Sequence, residues 1–178
     1  ESFNHEPKYL GDNTWQWEYA VKHKEDVYTT KLKALSIGNQ TDWKMFLSKE
    51  NVFSDFLWYE GKSQNDRSSG YWYLYKSQKE NFKMLKIEWE RDTVKGTSSI
   101  KYINVVPDAE DNGAYIEYGI SDDSTFNRYY NLYNKKEDNL MNIEWNFENV
   151  NGRLKNPKFF GNEDWHCWDN EKIDAECN

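Results

Sequence analysis

The chain has 178 residues, a formal net charge of −8, 17% aromatic residues and 30% charged residues. That length suffices for one domain with an enclosed core, and the aromatic load excludes a disordered chain, which is poor in such rings. The acidic balance, with Arg67, Arg91, Arg128 and Arg153 scattered along the chain, argues against nucleic acid as a partner, because that binding rests on basic side chains neutralising phosphates.

Residues 1–13 are polar, carry Pro7, Gly11 and Asp12, and read as an N-terminal extension. Thr14 to Val21 alternates. Trp15, Trp17, Tyr19 and Val21 fall on one face and Gln16 and Glu18 on the other, the period of a half-buried strand. A charged turn at His23–Asp26 leads to a β-branched return strand over Val27–Ile37. Gly38–Asp42 breaks it, and Asn39-Gln40-Thr41 matches a glycosylation acceptor, relevant in a eukaryotic secretory setting. Trp43–Asn51 reads either as a short helix capped by Asp42 or as a strand. Strands are then predicted over Phe53–Glu60, Tyr71–Lys76, Phe82–Glu90 and Ser98–Val106. A hydrophilic loop over Gly61–Gly70 and charged turns at Ser77–Asn81 and Arg91–Thr97 separate them. After the acidic loop Asp108–Gly113 come strands over Ala114–Ile120, Phe126–Tyr133 and Leu140–Phe147. Asn151-Gly152 reads as a tight turn, Arg153–Phe160 closes the sheet, and 161–178 is a C-terminal tail.

One phrase occurs twice. Ile87-Glu88-Trp89 returns as Ile143-Glu144-Trp145, preceded by Tyr71–Tyr75 in the first copy and Tyr129–Tyr133 in the second. Further back, Tyr59-Glu60-Gly61 and Tyr118-Gly119 each open a polar loop. Repeated halves at about 57–90 and 116–146 imply an internal duplication. Short connections imply antiparallel neighbours. The expected fold is all-β, an antiparallel up-and-down meander of about eight or nine strands closing into a barrel over 14–160, lipocalin-like in architecture, since closure removes sticky edges. The alternative is a two-sheet β-sandwich.

Trp17, Trp89 and Trp145 either line a pocket in such a barrel or fill its core, with the glutamates solvated. In the tyrosine strands Trp72 matches Tyr130 on one face, while Tyr73 and Tyr129 belong to the other. Rings on two faces need two partners, a core and something else, such as a ligand, a sugar, a protein or a covering loop. Cys167 and Cys177 fit a disulfide closing a small loop in an oxidising compartment; two free thiols or half a metal site are the other readings. Asp164, His166 and Asp169 add donor atoms nearby, but no paired Cys-x-x-Cys is present, so no metal is assigned. The acidic loop departs from a calcium loop at its twelfth position, which is Gly119. No nucleophile elbow, phosphate-cradling glycine loop or dinucleotide fingerprint occurs, so no catalytic residue and no cofactor are assigned. No stretch is long and apolar enough for a transmembrane helix. A start at Glu1 suggests a trimmed, exported chain.

The segments Tyr115–Gly119, Asn142–Asn146 and Phe160–Asp169 resemble secreted proteins and lipoproteins of Bacteroidetes-type bacteria with no assigned activity. The resemblance covers roughly the last hundred residues. It implies an extracytoplasmic protein, with a membrane tether only through a preceding segment, and brings no site residues with it. The expected function is non-enzymatic binding of a small apolar, aromatic or sugar-like ligand through Trp17, Trp72, Tyr73, Trp89, Tyr129, Tyr130 and Trp145. The alternative is a structural or protein-interaction module with a filled barrel, and the third reading a carboxylate-dependent hydrolase or isomerase.

Overall fold

The computed structural model describes residues 5–177. Residues 1–4 of the expected extension and Asn178 of the expected tail lie outside the described residues. The alternating stretches form strands as their period requires. The first seven are β1 (Lys8–Gly11), β2 (Thr14–His23), β3 (Asp26–Ile37), β4 (Gln40–Lys49), β5 (Phe53–Gln64), β6 (Ser69–Tyr75) and β7 (Lys83–Asp92). Then come β8 (Thr97–Asn104), β9 (Tyr115–Ile120), β10 (Arg128–Asn134), β11 (Asn139–Trp145) and β12 (Gly152–Lys155). The short helix α1 (Pro157–Phe160) precedes β13 (His166–Trp168) and β14 (Asp174–Ala175).

The strands form one antiparallel meander in sequence order, β1 to β14. This corrects the expected count of eight or nine. The ambiguous Trp43–Asn51 segment is strand, the extension supplies β1, and the tail supplies β13 and β14. No pairing joins β1 to β14 among the described residues, so the expected barrel closure is not formed. The edges are blunted by other means. β1 has four residues and an irregular register between Tyr9 and Gly11, and β14 has two residues. Short and bulged edges resist further pairing.

The chain divides into two compact units, Glu1–Lys86 and Ile87–Asn178. The division falls inside β7 and inside the expected first half at 57–90. In the first unit, directly paired residues place Trp17, Leu32, Met45, Tyr59 and Leu74 in one row across β2 to β6. Trp15, Ala34, Trp43, Gly61 and Trp72 form the next row of the same face. Leu32, Ala34, Met45 and Phe56 are the buried apolar side chains among the described residues, and none of them lies below 2% exposure. Trp17 meets Trp43 at 6.1 Å, Trp43 meets Trp72 at 6.1 Å, and Tyr59 meets Trp72 edge-on at 5.2 Å between centroids.

In the second unit Ile100, Tyr118, Tyr130, Ile143, Leu154 and His166 form the corresponding row across β8 to β13. Tyr130 stacks on Trp145 at 5.5 Å, and Tyr118 lies 5.1 Å from Tyr130. Asn146 is 7% exposed and ties two loops together. Its side-chain amide donates to the carbonyls of Ser124 and Thr125, and its side-chain oxygen accepts from the amides of Glu148 and Asn149.

Two glycines depart from their expected roles, and a third has one that its place in the sequence did not show. Gly61 was expected to open a loop and Gly152 to complete a tight turn, while Gly119 lies in the strand expected over Ala114–Ile120. All three lie within strands, and none has positive φ. Each lies beneath an aromatic ring instead: Trp72 covers Gly61, Tyr129 covers Gly119 and Trp168 covers Gly152. The turn expected at Asn151-Gly152 forms earlier, with Val150 at φ 55° and its amide bonded to the Asn146 carbonyl. The two copies of the repeat also differ in pairing. Tyr59 pairs with Leu74, whereas Tyr118 pairs with Tyr130. Glu60 stands between Tyr59 and Gly61 and has no counterpart between Tyr118 and Gly119. With a period of two, that one residue puts the second glycine on the opposite face from its tyrosine.

Candidate functional site

The first unit holds an apolar groove of about 810 Å³ on its ring-bearing face. Thr30 and Met45, each 3% exposed, lie beneath it, and Tyr28, Phe53, Phe56, Trp58 and Tyr59 supply its aromatic lining. The Thr30 hydroxyl donates to the Tyr19 carbonyl at 2.9 Å, so this buried polar group is satisfied.

Two irregularities in β5 build the groove. Met45 pairs with Tyr59 but Phe46 with Leu57, which leaves Trp58 as an extra residue. Leu47 pairs with Phe56 but Lys49 with Phe53, which leaves a second one. Asp55 within this second bulge has φ 48°; its amide donates to the Ser48 hydroxyl, and its carboxylate bonds Lys31 at 3.2 Å. Each bulge shifts the alternation by one residue. Phe53, Phe56 and Tyr59 thus reach one face at intervals of three, and Trp58 joins them in the lining. Phe53 meets Phe56 edge-on at 6.2 Å and Tyr28 at 6.5 Å. Trp58 keeps 38% exposure and lies 5.4 Å from Tyr59. Burial first, and the neighbouring Tyr19 phenol second, push the Tyr59 phenol up to about 12. It therefore presents a neutral hydroxyl at neutral pH.

The rim is polar. His23, Lys76, Ser77 and Gln78 border the groove. Lys76 bonds Glu80 at 2.8 Å and lies over the Phe82 ring. Lys49 bonds Asp26 at 2.7 Å beside Tyr28, and that hydrogen bond raises its pKa. The His5 ring stacks on Tyr19 at 4.9 Å.

The opposite face of each unit is occupied by its own charges. Glu60 accepts from Tyr75 at 3.0 Å and from Lys83 at 3.0 Å, and Lys83 also lies 4.1 Å over Tyr73. Burial alone would raise the Glu60 pKa, but the Lys83 and Tyr75 bonds and the Lys83 charge outweigh it and hold the carboxyl below its ordinary value. In the second unit Tyr129 donates to Glu117 at 3.2 Å, and Lys101 lies 3.7 Å over Tyr115. Burial, then the Glu117 charge and hydrogen bond, raise the Tyr129 phenol. Glu144 of the repeated phrase is committed to Arg153, whose Nε donates at 2.7 Å.

The seven predicted ligand-binding residues are not gathered in one place. Trp17 and Trp72 share the face that bears the groove but do not line it. Tyr73 lies on the opposite face beside Lys83 and Lys86. Trp89 lies in the part of β7 that belongs to the second unit. Tyr130 and Trp145 stack on one face of that unit while Tyr129 covers Gly119 on the other. Sequence reasoning missed Tyr28, Phe53, Phe56 and Trp58. The signal available was the crowding of Phe53, Phe56, Trp58 and Tyr59 in one strand, which no period-two pattern can place on one face.

Cys167 and Cys177 are joined in a disulfide with Cα atoms 5.3 Å apart, so neither is a free thiol or a half-site for metal. The acidic loop closes on itself, Gly113 donating to the Asn104 carbonyl and Ala114 to that of Asp111. No cluster of three or more metal-ligating side chains occurs among the described residues. No family model, curated relative or solved structure matches this chain.

Proposed function

We propose that the protein is a non-enzymatic binding module working outside the cytoplasm, and that the groove of the first unit takes the aromatic or aliphatic body of a small ligand. The carrying observation is the row of rings brought to one face by the two β5 bulges over a floor of Thr30 and Met45. Its volume falls in the range of about 300–1,000 Å³ typical of small-ligand sites. The open strand order supports a site on a sheet face rather than in a barrel lumen. The disulfide is compatible with an extracytoplasmic compartment. The test is titration with 1-anilinonaphthalene-8-sulfonate as an aromatic apolar probe. Val21 also lines the groove; saturable binding at one site is expected, weakened about tenfold at unchanged circular dichroism by Trp58→Ala, which removes a contact, or by Val21→Glu, which puts a charge into the lining. Binding untouched by both substitutions sinks the proposal.

A second reading, a protein-interaction module, draws on Tyr102 and Ile116. They pair directly on one face of the second unit and are 41% and 49% exposed. Exposed apolar side chains side by side on a sheet face are a candidate contact surface. Light scattering across a concentration series, with Ile116→Lys as the control, distinguishes self-association through that stripe from a monomer.

A further inference from the structure

The second unit holds another groove, of about 960 Å³, between the turn after β11 and the disulfide-closed tail. We propose that it binds a neutral carbohydrate chain. This site is separate from the first-unit groove and does not depend on the reading given to it.

Sugars are recognised by flat rings that stack on their C–H faces and by planar polar side chains that reach their hydroxyls. Both are present. The Trp168 indole N–H donates to the Val150 carbonyl at 2.7 Å, and its ring lies over Gly152. The indole is thereby fixed as a platform at the groove. Asn149, Asn170 and Glu176 also line it, and their side chains make no hydrogen bond among the described residues. Asp169 uses one oxygen to accept the amides of Glu171 and Ile173, at 2.9 and 3.0 Å, which leaves its other oxygen for a ligand. The Cys167–Cys177 bond ties Glu176 and its neighbours to β13.

Charge narrows the ligand class. Glu148, Asp169 and Glu176 disfavour an anion, and Arg153, the basic residue of the lining, is already paired with Glu144. A cation would be drawn to the same carboxylates, but the aromatic pair that would hold it is already filled by Arg153, 4.7 Å from Phe126 and 4.3 Å from Trp165. An apolar ligand would leave the amides and carboxylates desolvated without partners. A neutral polyhydroxyl chain meets all of these groups.

The experiment is a 1H–15N NMR titration of the full chain with cellohexaose, xylohexaose, mannohexaose, maltohexaose and chitohexaose. At least one hexasaccharide should shift the Trp168 indole and the Asn149 and Asn170 amide signals. Trp168→Ala should weaken that binding about tenfold, and Asn170→Ala about threefold or more, in line with loss of a stacked ring or a hydrogen bond. Trp168→Tyr should retain part of it. Asn170 is exposed, so its variant tests the site even if Trp168→Ala disturbs the tail. A neutral ligand should bind equally at about 0.05 and 0.5 M salt, where screening differs most. No perturbation at Trp168 by any of the five at about 10 mM, a ligand weaker than most specific sites bind, overturns the proposal. So does hexasaccharide binding that both Trp168→Ala and Asn170→Ala leave intact. Salt-sensitive binding of choline at the same signals overturns it in favour of a cation site.

Discussion

Replacing Gly61 by alanine tests the role assigned to the in-strand glycines. In a strand, Gly→Ala at an unstrained position normally stabilises, by about 0.4–1 kcal/mol, through the unfolded chain. Gly61 does not have positive φ, so that gain applies. Against it, a Cβ built there meets the Tyr71 carbonyl oxygen and comes within 2.7 Å of Trp72 Cε3 and 3.0 Å of Cδ2, whereas carbon atoms rest about 3.5–4.0 Å apart. Relief requires the Tyr71 backbone to shift and the indole to move by about 1 Å on that comparison, and Trp72 is packed against Trp43 and Tyr59. Overpacking of this kind costs about 1–3 kcal/mol, so the net expectation is a loss of about 1–2 kcal/mol. Urea unfolding followed by circular dichroism gives the value, provided the slope is unchanged. Gly119 supplies the internal control. There the three atoms nearest a Cβ all belong to the far end of the Tyr129 ring. Gly119→Ala should cost less, and in a Tyr129→Ala background it should become stabilising. A Gly61→Ala protein as stable as the parent, or more so, would refute the ring-over-glycine account.

Asn146→Ala should destabilise the second unit by about 1–3 kcal/mol, the cost of leaving buried partners unsatisfied, and hydrogen exchange should localise the loss to residues 124–125 and 148–150. Glu60 has a folded pKa below its ordinary 4.5, so its stabilising contribution is present above that value and lost as pH falls through the folded pKa. Glu60→Gln should flatten the acid limb of a stability–pH curve, and an unaltered limb would count against the Lys83 and Tyr75 contacts. Tyr59 works in the other direction. Its phenol keeps a proton up to about pH 12 when folded, against an ordinary 10.0, so stability should fall as pH rises between these values, and Tyr59→Phe should remove that part of the fall. Reducing Cys167–Cys177 should speed amide exchange in β13 and β14 while leaving β2 to β5 unchanged; equal acceleration everywhere would contradict a local clamp.

The period of the sequence determined a good deal by itself. Trp15-Gln16-Trp17-Glu18-Tyr19 alternates, and alternation of large rings with polar residues has one regular solution, a strand with one ring-bearing face. Turns with several polar residues between such stretches leave neighbours antiparallel, so the all-β meander was legible. The cysteine pair was legible too, because ten residues with a turn between them can bring two sulfurs together. Closure was not legible. The argument from sticky edges assumes that edges must be paired, and here they are kept short instead, at β1 and β14. What only the tertiary structure decided turns on single-residue offsets. Glu60 shifts one copy of the repeat against the other, and the β5 bulges gather Phe53, Phe56, Trp58 and Tyr59 on one groove. Gly61 and Gly152 read as turn residues because glycine is common in turns, and Gly119 as the end of a strand before a polar loop. Their reason for being glycine lies on a neighbouring strand, in a ring that needs the space of a missing Cβ. A local pattern carries no information about what crosses from the next strand, and in this protein that crossing builds both the packing of the sheet and the groove of the first unit.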